Sequence, residues 1–326
     1  MKLASCAVAA LAAATLCSVH AQTFPSKPIE LVVHTAAGGG SDLVARTFAE
    51  VVQKEKLLPQ ILIVQNRSGG SGAIAQSYVA GKRGDPYTLL SAAVSVMLSV
   101  PVRTGLDVGL DKFHPLGMIG VDLNALTVRE DAPYRTFQEL IAAAKAKPKS
   151  INIAIGSMGA TAHYFVYKIE QATGARFNVV SFKSGPDAAV AVLGGHVHAT
   201  TENLADVLPH VQAKKMLLLG LPSEKRLPSF ANVPTMKEQG LDVHIGAGRG
   251  FASPAGIPKD AAVLLEQTVA KVHKSAGWRE FMARNMYEDI YLTGEEFGRY
   301  LQTRQVDMNR FLTDMGLTQK KPQGEK

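Results

Sequence analysis

Cysteine is absent from the sequence after residue 21. The chain has two cysteines in 326 residues, and both, Cys6 and Cys17, lie near its start. If those first residues are removed, neither a disulfide nor a cysteine-ligated metal can stabilise the remaining protein. Neither is needed, because the remaining chain is long enough for two domains of about 150 residues, or for one larger domain, each with its own core.

Long hydrophobic segments are also missing after residue 21. The longest mostly apolar stretch, residues 89–102, contains serines and Pro101. A membrane-spanning helix needs about 20 consecutive apolar residues, so this stretch is too short and too interrupted to cross a bilayer. The sequence therefore predicts a soluble mature protein.

A strong excess of one charge is missing as well. With 35 basic and 28 acidic residues the net charge is +7, and the basic residues are scattered. The one tight basic cluster lies in residues 319–326, which we expect to form a flexible tail rather than a nucleic-acid-binding arm. We predict no nucleic-acid partner, although a mild positive charge suits a protein that attracts small anions.

The start of the chain has the pattern of a secretory signal. Lys2 precedes a run rich in alanine and leucine, and Val19 and Ala21 occupy positions −3 and −1 of a cleavage site. This pattern predicts a signal peptide over residues 1–21, cleaved after Ala21, and therefore export. An uncleaved anchor is the weaker interpretation, because the apolar run is short and rich in alanine. A lipid anchor on Cys17 is disfavoured by the leucine before it.

Short β-branched runs alternate with amphipathic segments through the rest of the chain, as they do in α/β proteins. The predicted strands share a near-continuous hydrophobicity, which is typical of parallel sheets covered on both faces. They are residues 29–34, 61–65, 87–91, 151–155, 178–182 and 216–220. We therefore predict an α/β fold built on mostly parallel sheets flanked by helices.

The helices between these strands have apolar faces, for example over residues 44–52. The last long helix is predicted to start at Thr293, with Glu296 completing a capping box. No low-complexity linker is present, so a domain boundary has to be crossed by strands, and two such crossings would form a hinge. We predict a first lobe of residues 22–121 plus 250–318 and a second lobe of residues 122–249.

Small residues follow three of the predicted strands at the point where a helix starts. These junctions are residues 35–42, 156–163 and 181–189. The unpaired amides and the positive dipole end of a helix N-terminus can hold a carboxylate, and glycine lets the backbone approach it. Each junction taken alone is equally well a turn with a helix cap. One from each lobe, at the carboxyl ends of strands, favours a shared ligand cleft.

Signatures of nucleotide binding and catalysis are missing. The glycines of residues 246–250 have the wrong spacing for GxGxxG, and no P-loop, HExxH or GxSxG motif occurs. His196 and His198 could form a metal pair on one strand face, but no third ligand lies near them in sequence, so we interpret them as surface or turn-edge histidines. We predict no enzyme activity, no metal site and no cofactor.

A few polar residues stand out near the proposed cleft. Arg249 lies in a neutral, glycine-rich segment, where a guanidinium could pair with a carboxylate or lie exposed on a strand edge. Glu202 and Asn203 could contact a ligand or cap the following helix. His34 is open to the same two interpretations, whereas His163 is interpreted as a backbone cap.

The sequence also resembles a known family. The resemblance is carried by six blocks in order: FPSKPIELVV…AAGGGSDLVAR, NRSGGSGAIA, GDPYTLL, LGGHVHAT, EKRLPSFANVPTMKEQG and FASPAGIPK. Together they are similar to the Bug/TctC family of periplasmic solute-binding proteins, from about Phe24 to the last helix. The resemblance implies a two-lobed Venus-flytrap (periplasmic-binding-protein) architecture and a periplasmic location.

The same resemblance implies how the protein works. A small carboxylate ligand is held mainly by the backbone of residues 35–42, and residues 156–161 close on it from the second lobe. The receptor then delivers the ligand to the membrane subunits of a tripartite tricarboxylate transporter. We expect the protein to be a monomer.

Three segments depart from the usual pattern of that family. His34 and Thr35 replace proline and phenylalanine, Ser91–Ala92 begin a less polar run, and Arg249 replaces an aromatic residue. An added positive group and a more apolar wall favour an acid with an apolar or aromatic body over a polar amino acid.

The predicted ligand-binding residues combine the loops and the polar candidates. They are His34, Thr35, Ala37, Gly38, Gly39, Ser41, Asp42, Ser91, Ala92, Ser157, Gly159, Ala160, Thr161, Lys183, Glu202, Asn203 and Arg249. Two alternatives stay open from the sequence. One is an exported hydrolase or lyase with its site in the same cleft, and the other is a binding protein that serves a sensor kinase or another transporter.

Overall fold

The structure is a computed structural model that describes residues 24–319. The predicted signal peptide and residues 320–326 of the predicted tail lie outside the described residues. Two β-sheets, each flanked by helices, form the described part. The predicted two-lobed α/β class is confirmed.

The first sheet has six strands in the spatial order β11-β4-β10-β3-β1-β2, and the second has five in the order β7-β6-β8-β5-β9. The strands are β1 (Ile29–Val33), β2 (Leu62–Asn66), β3 (Thr88–Ala93), β4 (Phe113–Leu123), β5 (Leu126–Arg129), β6 (Asn152–Ile155), β7 (Asn178–Ser181), β8 (Ala199–Thr200), β9 (Met216–Gly220), β10 (Gly246–Pro254) and β11 (Leu292–Thr293).

Helices cover both faces of each sheet. They are α1 (Gly40–Lys54), α2 (Ala73–Ala80), α3 (Val94–Thr104), α4 (Phe137–Ala146), α5 (Thr161–Thr173), α6 (Gly185–Leu193), α7 (Leu204–Gln212), α8 (Lys259–Lys274), α9 (Ala276–Arg284) and α10 (Gly294–Asp314). Among residues 24–319, none of these helices is both long enough and apolar enough to span a bilayer.

Both sheets are mixed, which corrects the expectation of mostly parallel strands. In the first sheet β1 pairs in parallel with β2 and β3, whereas β10 and β11 join antiparallel. In the second sheet β6 pairs in parallel with β7 and β8, and β5 is antiparallel to its neighbours. The near-continuous hydrophobicity on which the expectation rested reflects burial on both faces, which central antiparallel strands share.

The two longest strands run next to each other where the chain passes between the sheets. β4 and β10 pair antiparallel from Phe113–Pro254 to Leu123–Gly246. Just beyond this ladder, β5 starts at Leu126 in the second sheet, and the Asn124 amide donates to the Ile245 carbonyl at 3.1 Å. The predicted crossings at residues 116–121 and 248–252 lie within these two strands, and the lobe boundaries drawn from them stay a prediction.

Apolar clusters fill both faces of each sheet. In the first sheet, Phe48 of α1 stacks on Phe251 of β10, with ring centroids 3.9 Å apart. Trp278 of α9, the only tryptophan in the sequence, is fully buried, and its Nε1 donates to the Ile119 carbonyl of β4 at 2.9 Å. β4, which continues toward the second lobe, is therefore anchored to the hydrophobic core of the first lobe.

Local capping explains where several helices begin. The Thr293 hydroxyl accepts from the Glu296 amide at 3.3 Å, and the Glu296 carboxylate accepts from the Thr293 amide at 2.9 Å, which confirms the predicted capping box of α10. The Ser184 hydroxyl accepts from the Asp187 amide at 3.3 Å and so caps α6, with Pro186 in the first turn.

The last helix also contacts the second lobe. Phe311 of α10 packs against Tyr164 and Tyr167 of α5, with ring centroids 5.3 and 5.2 Å away. The Tyr167 hydroxyl donates to Asp314 at 2.5 Å. These contacts join the two sheets at a second place, away from the paired strands.

Candidate functional site

The loop between β1 and α1 is shaped by one buried carboxylate. Asp42 accepts from the Gly38 amide at 2.8 Å, from Nε of Arg46 at 2.9 Å and from Nδ2 of Asn66 at 2.8 Å. Burial would raise the pKa of Asp42, but the three donors outweigh it and lower the pKa. Since its oxygens are engaged, Asp42 holds the loop in shape and leaves residues 36–38 exposed.

The helix start that follows is free of side-chain caps. Gly39 occupies the N-cap position of α1, and the Gly39 amide donates to the Ala36 carbonyl at 3.2 Å. The amides of Gly40 and Ser41 belong to the first turn, where a helix has no internal acceptors for its donors. This turn is suited to receive an anionic group.

Arg249 of β10 lies against this helix start. Its Nη1 donates to the Ser41 hydroxyl at 3.1 Å and its Nη2 to Oδ2 of Asp122 at 2.8 Å. A Cβ added to Gly40 would lie 3.1 Å from Nη2, so glycine leaves room for the guanidinium. Both terminal nitrogens are used inside the protein, and Arg249 therefore ties the first loop to Asp122 on β4.

The carboxylates around Arg249 form a buried acidic cluster, which we define as Asp122, Glu202 and Asp206. Burial raises the pKa of Asp122 above its usual range, with Arg249 acting in the opposite direction. Burial raises the pKa of Glu202 to about 7, and burial together with Glu202 raises that of Asp206 well above normal. Burial alone would lower the pKa of Arg249, but Tyr287 and Asp122 raise it instead, so the arginine stays charged.

The loop between β6 and α5 is held by different groups. The Gly156 amide donates to Glu202 at 2.5 Å, and the Gly159 amide donates to Nδ1 of His163 at 3.2 Å. Because Nδ1 accepts, the His163 proton is assigned to Nε2 and the ring is neutral, and burial lowers its pKa to about 4. His163 caps the backbone, in agreement with its interpretation from the sequence.

The third junction, between β7 and α6, lies over the acidic cluster. A Cβ on Gly185 would overlap the Asp206 carboxylate and lie 2.8 Å from Oε2 of Glu202, so only glycine fits there. Lys183, two residues earlier, is exposed. Glu202 thus lies beneath both junctions of the second lobe.

The first-lobe wall also contains His34 and Thr35. Burial, with a contribution from Arg249, lowers the pKa of His34 to about 4, so this half-buried imidazole is neutral at physiological pH. The Thr35 carbonyl accepts from Nδ2 of Asn66 at 3.0 Å. Among residues 24–319 the Thr35 hydroxyl has no hydrogen-bond partner, although it is buried.

Other predicted residues have different surroundings. Ser91 is buried and donates to the Ser41 carbonyl at 3.4 Å, and Ala92 is buried in the core of the first lobe. Nδ2 of Asn203 donates to the Asp122 carbonyl at 2.8 Å. Thr161, at the start of α5, lines a small pocket of about 60 Å³ together with Arg304. Ser91, Ala92 and Asn203 are therefore part of the packed structure behind the cleft, and Thr161 lies at its side.

Sequence reasoning missed several residues of the site. Asp122 had a signal, since it is a lone acid directly after the apolar predicted crossing at residues 116–121. Asp206 and Tyr287 had none, because both join Arg249 only through the tertiary fold. Arg103, in the last turn of α3, contacts Gly159 across the cleft and also carried no local signal.

Metal ligands do not gather anywhere in the described part of the chain. No group of three or more histidine, cysteine or acidic side chains within residues 24–319 is arranged to hold an ion. Nδ1 of His198 accepts from the Asn152 amide at 2.9 Å, so this nitrogen is used by the backbone and does not pair with His196 around a metal.

The two strand-to-helix loops and their cleft can be compared with known proteins. Residues 44–317 match the family described as the tripartite tricarboxylate transporter family receptor, TctC. The chain belongs to this family. It is a solute-binding receptor of the TctC type, and the resemblance seen in the sequence is confirmed.

Curated relatives match over most of their length. BugT of Bordetella pertussis is 31% identical over 288 residues, which is 85% of this chain and 86% of BugT. A UPF0065 protein of Cupriavidus necator is 29% identical over 296 residues, covering 90% of this chain and 89% of that protein.

Solved structures of the family have the same architecture. A TctC solute-binding protein from Polaromonas is 34% identical, with a TM-score of 0.72 over 90% of this chain and 100% of that one. The R. palustris protein Rpa4515, solved with adipate, is 25% identical, with a TM-score of 0.83 over 90% of this chain and 99% of that one.

Proposed function

We propose that this receptor captures a small organic anion, a carboxylate, in the cleft between its two sheets and releases it chemically unchanged. The observation that carries the proposal is the helix start at Gly40 and Ser41, where the first amides have no side-chain cap and the charged Arg249 lies behind them. Backbone donors and a nearby cation favour a carboxylate over a neutral solute. The adipate found with Rpa4515, a relative by structure, supports the same class.

The second lobe supplies the opposite wall in this proposal. Residues 156–161 follow β6 and lead into α5, and the first of them, Gly156, donates its amide to Glu202. A ligand gripped by both loops stabilises the closed form through its higher affinity for that form. Export to the periplasm, and delivery of the ligand to the membrane subunits of a tripartite tricarboxylate transporter, complete the proposed role.

The body of the ligand is proposed to be apolar or aromatic. Val94, at the start of α3, lines the small pocket beside the cleft, and His34, directly after β1, is a neutral ring. Aliphatic and aromatic acids would find both a charged end and an apolar wall in such a cleft. A polar amino acid would leave that wall unused.

A thermal-shift screen tests the carboxylate class. Aliphatic and aromatic carboxylates are compared with their uncharged amides on the purified mature protein. At a ligand concentration about 100 times Kd, binding adds about 2.7 kcal/mol to the unfolding free energy, which raises the Tm by several degrees. Shifts with amides but with no carboxylate would refute the proposed class.

The same samples test whether the protein is only a receptor. After incubation the best ligand is released by denaturation and identified by mass spectrometry. Recovery of the intact ligand is expected. A hydrolysed or rearranged product would instead support the exported hydrolase or lyase.

A further inference from the structure

Arg103 is a half-buried cation in the last turn of α3. Its Nη2 donates only to the Ser71 carbonyl, at 3.4 Å. Its Nε is buried and has no hydrogen-bond partner within residues 24–319. Burial lowers its pKa, and no carboxylate within residues 24–319 counteracts that effect. An arginine nevertheless stays protonated at neutral pH, so this charge has no counterion in the described part of the chain.

The same side chain lies against the second lobe. A Cβ added to Gly159 would be 2.8 Å from Cδ and 3.1 Å from Nε of Arg103. Gly159 has a φ of +76°, a conformation that already favours glycine. Ser71 and Gly159 belong to opposite sides of the cleft, so Arg103 contacts both walls at once.

Arg249 offers the contrast. Both of its terminal nitrogens are bonded, one to Ser41 and one to the carboxylate of Asp122. Its charge is therefore largely compensated by a buried partner. Of these two arginines, Arg103 is the one whose guanidinium still needs an anion, and partly buried charges are stable when paired.

We propose that Arg103 binds an anionic group of the ligand, a carboxylate, where the Ser71 loop meets Gly159. This inference rests on the proposed function, because it assigns a second contact to the same ligand. A carboxylate bound there touches the side chain that bridges both walls. It therefore favours the closed form, and Arg103 is a determinant of specificity for charged over uncharged ligands.

Two substitutions and two pairs of probes test this assignment. Arg103→Gln and Arg103→Lys are titrated by calorimetry with adipate and adipamide, and in parallel with benzoate and benzamide. Loss of a charge-assisted hydrogen bond predicts that Arg103→Gln weakens carboxylate binding by about 10- to 100-fold. Amide binding is expected to change less than about twofold, and Arg103→Lys to recover part of the loss, since lysine keeps the charge without the fork of donors.

A matched control separates this effect from a general change of charge. Arg226→Gln removes an exposed arginine that pairs with Glu238 at 2.9 Å, far along the chain from both loops. It should leave every affinity unchanged. An unchanged Tm of the ligand-free Arg103→Gln protein shows that the variant is folded.

The outcomes distinguish this inference from the proposed function. Carboxylate affinity that stays within about twofold in Arg103→Gln would overturn the inference alone. Equal losses for acids and amides would overturn it too, because they indicate packing rather than charge recognition. If the wild-type protein binds neither carboxylate, nor any other in the screen, the proposed function itself fails.

Discussion

The two principal loops of the cleft have the same local pattern, a strand followed by glycines and a helix, but they are held by different chemistry. The loop after β1 is fixed by two ion pairs, Asp42 with Arg46 and Arg249 with Asp122. The loop after β6 is fixed by a neutral His163 and by Glu202, whose pKa is raised to about 7. The same local pattern therefore gives one loop whose carboxylate, Asp42, has a lowered pKa, and one whose carboxylate, Glu202, has a pKa raised into the neutral range.

The difference follows from what surrounds each loop. Asp42 receives three donors, which stabilise its charged form. Glu202 accepts from the Gly156 amide, but it is buried beside Asp122 and Asp206. Burial and the neighbouring carboxylates both favour its protonated form. The comparison teaches that the partners beneath a glycine loop, rather than the loop itself, determine its electrostatics.

Removing the cation from the first wall should have the largest effect. Arg249→Gln leaves Asp122 buried without its charged partner, which we expect to cost about 3–5 kcal/mol of unfolding free energy. Urea unfolding at pH 7 measures the loss. The double variant with Asp122→Asn should regain much of it, because the unpaired charge is gone. If the single variant loses less than about 1 kcal/mol of unfolding free energy, the Arg249–Asp122 ion pair does not hold the first wall in place.

The pH response of the second wall should be the next largest. The folded pKa of Glu202, about 7, lies above its usual value of 4.5. Between these values the folded state holds a proton that the unfolded state has lost, so the unfolding free energy decreases as pH rises through this window. Glu202→Gln should abolish about 2–3 kcal/mol of that decrease, measured by urea unfolding between pH 4.5 and 8.

A surface glutamate provides the reference for that experiment. Glu280→Gln, on the exposed side of α9, should give a pH profile parallel to that of the wild type. If Glu202→Gln is parallel as well, the two walls do not differ in the way described. Glu202→Gln also removes one of the influences that raise the pKa of Asp206, so part of the change is expected to come from that carboxyl.

Matched glycines should give the smallest effect. Gly38 and Gly159 both have positive φ, +83° and +76°, so alanine at either position should cost about 1 kcal/mol from backbone strain. Only at Gly159 does a Cβ also meet a neighbour, 2.8 Å from Cδ of Arg103, while Gly38 has open space. Gly159→Ala should therefore lose about 1 kcal/mol more than Gly38→Ala in thermal unfolding. Equal losses of unfolding free energy would indicate that Arg103 moves aside without cost when Gly159 is replaced by alanine.

Much of the local structure could be predicted from the sequence. Strand and helix positions follow from β-branched runs and helical spacing, and Thr293 and Pro186 mark helix starts because their chemistry is local. The two glycine loops were predicted for the same reason. These sequence signals span only a few residues. They are sufficient wherever the structural cause also lies within a few residues of the chain.

The partners in the cleft could not be predicted in this way. Arg249 and Asp122 are 127 positions apart, and Glu202 and Gly156 are 46 apart. No periodicity links such pairs. The first pair meets because β4 and β10 run side by side, and the second because β6 and β8 do. The family resemblance could not supply Arg249 either, since an aromatic residue is usual there. The ligand-binding residues stay a prediction.

The anchoring of Trp278 to β4 means that the intrinsic fluorescence of the protein can report on the position of that strand. This single indole is dry, and its N–H is fixed to the backbone of β4, one of the two strands that lead to the second lobe. A change in the path of that strand would alter the electric field and the hydrogen bond at the fluorophore. Opening and closing of the cleft are then expected to appear as a shift in intrinsic emission, read without any label and with no second tryptophan to obscure it.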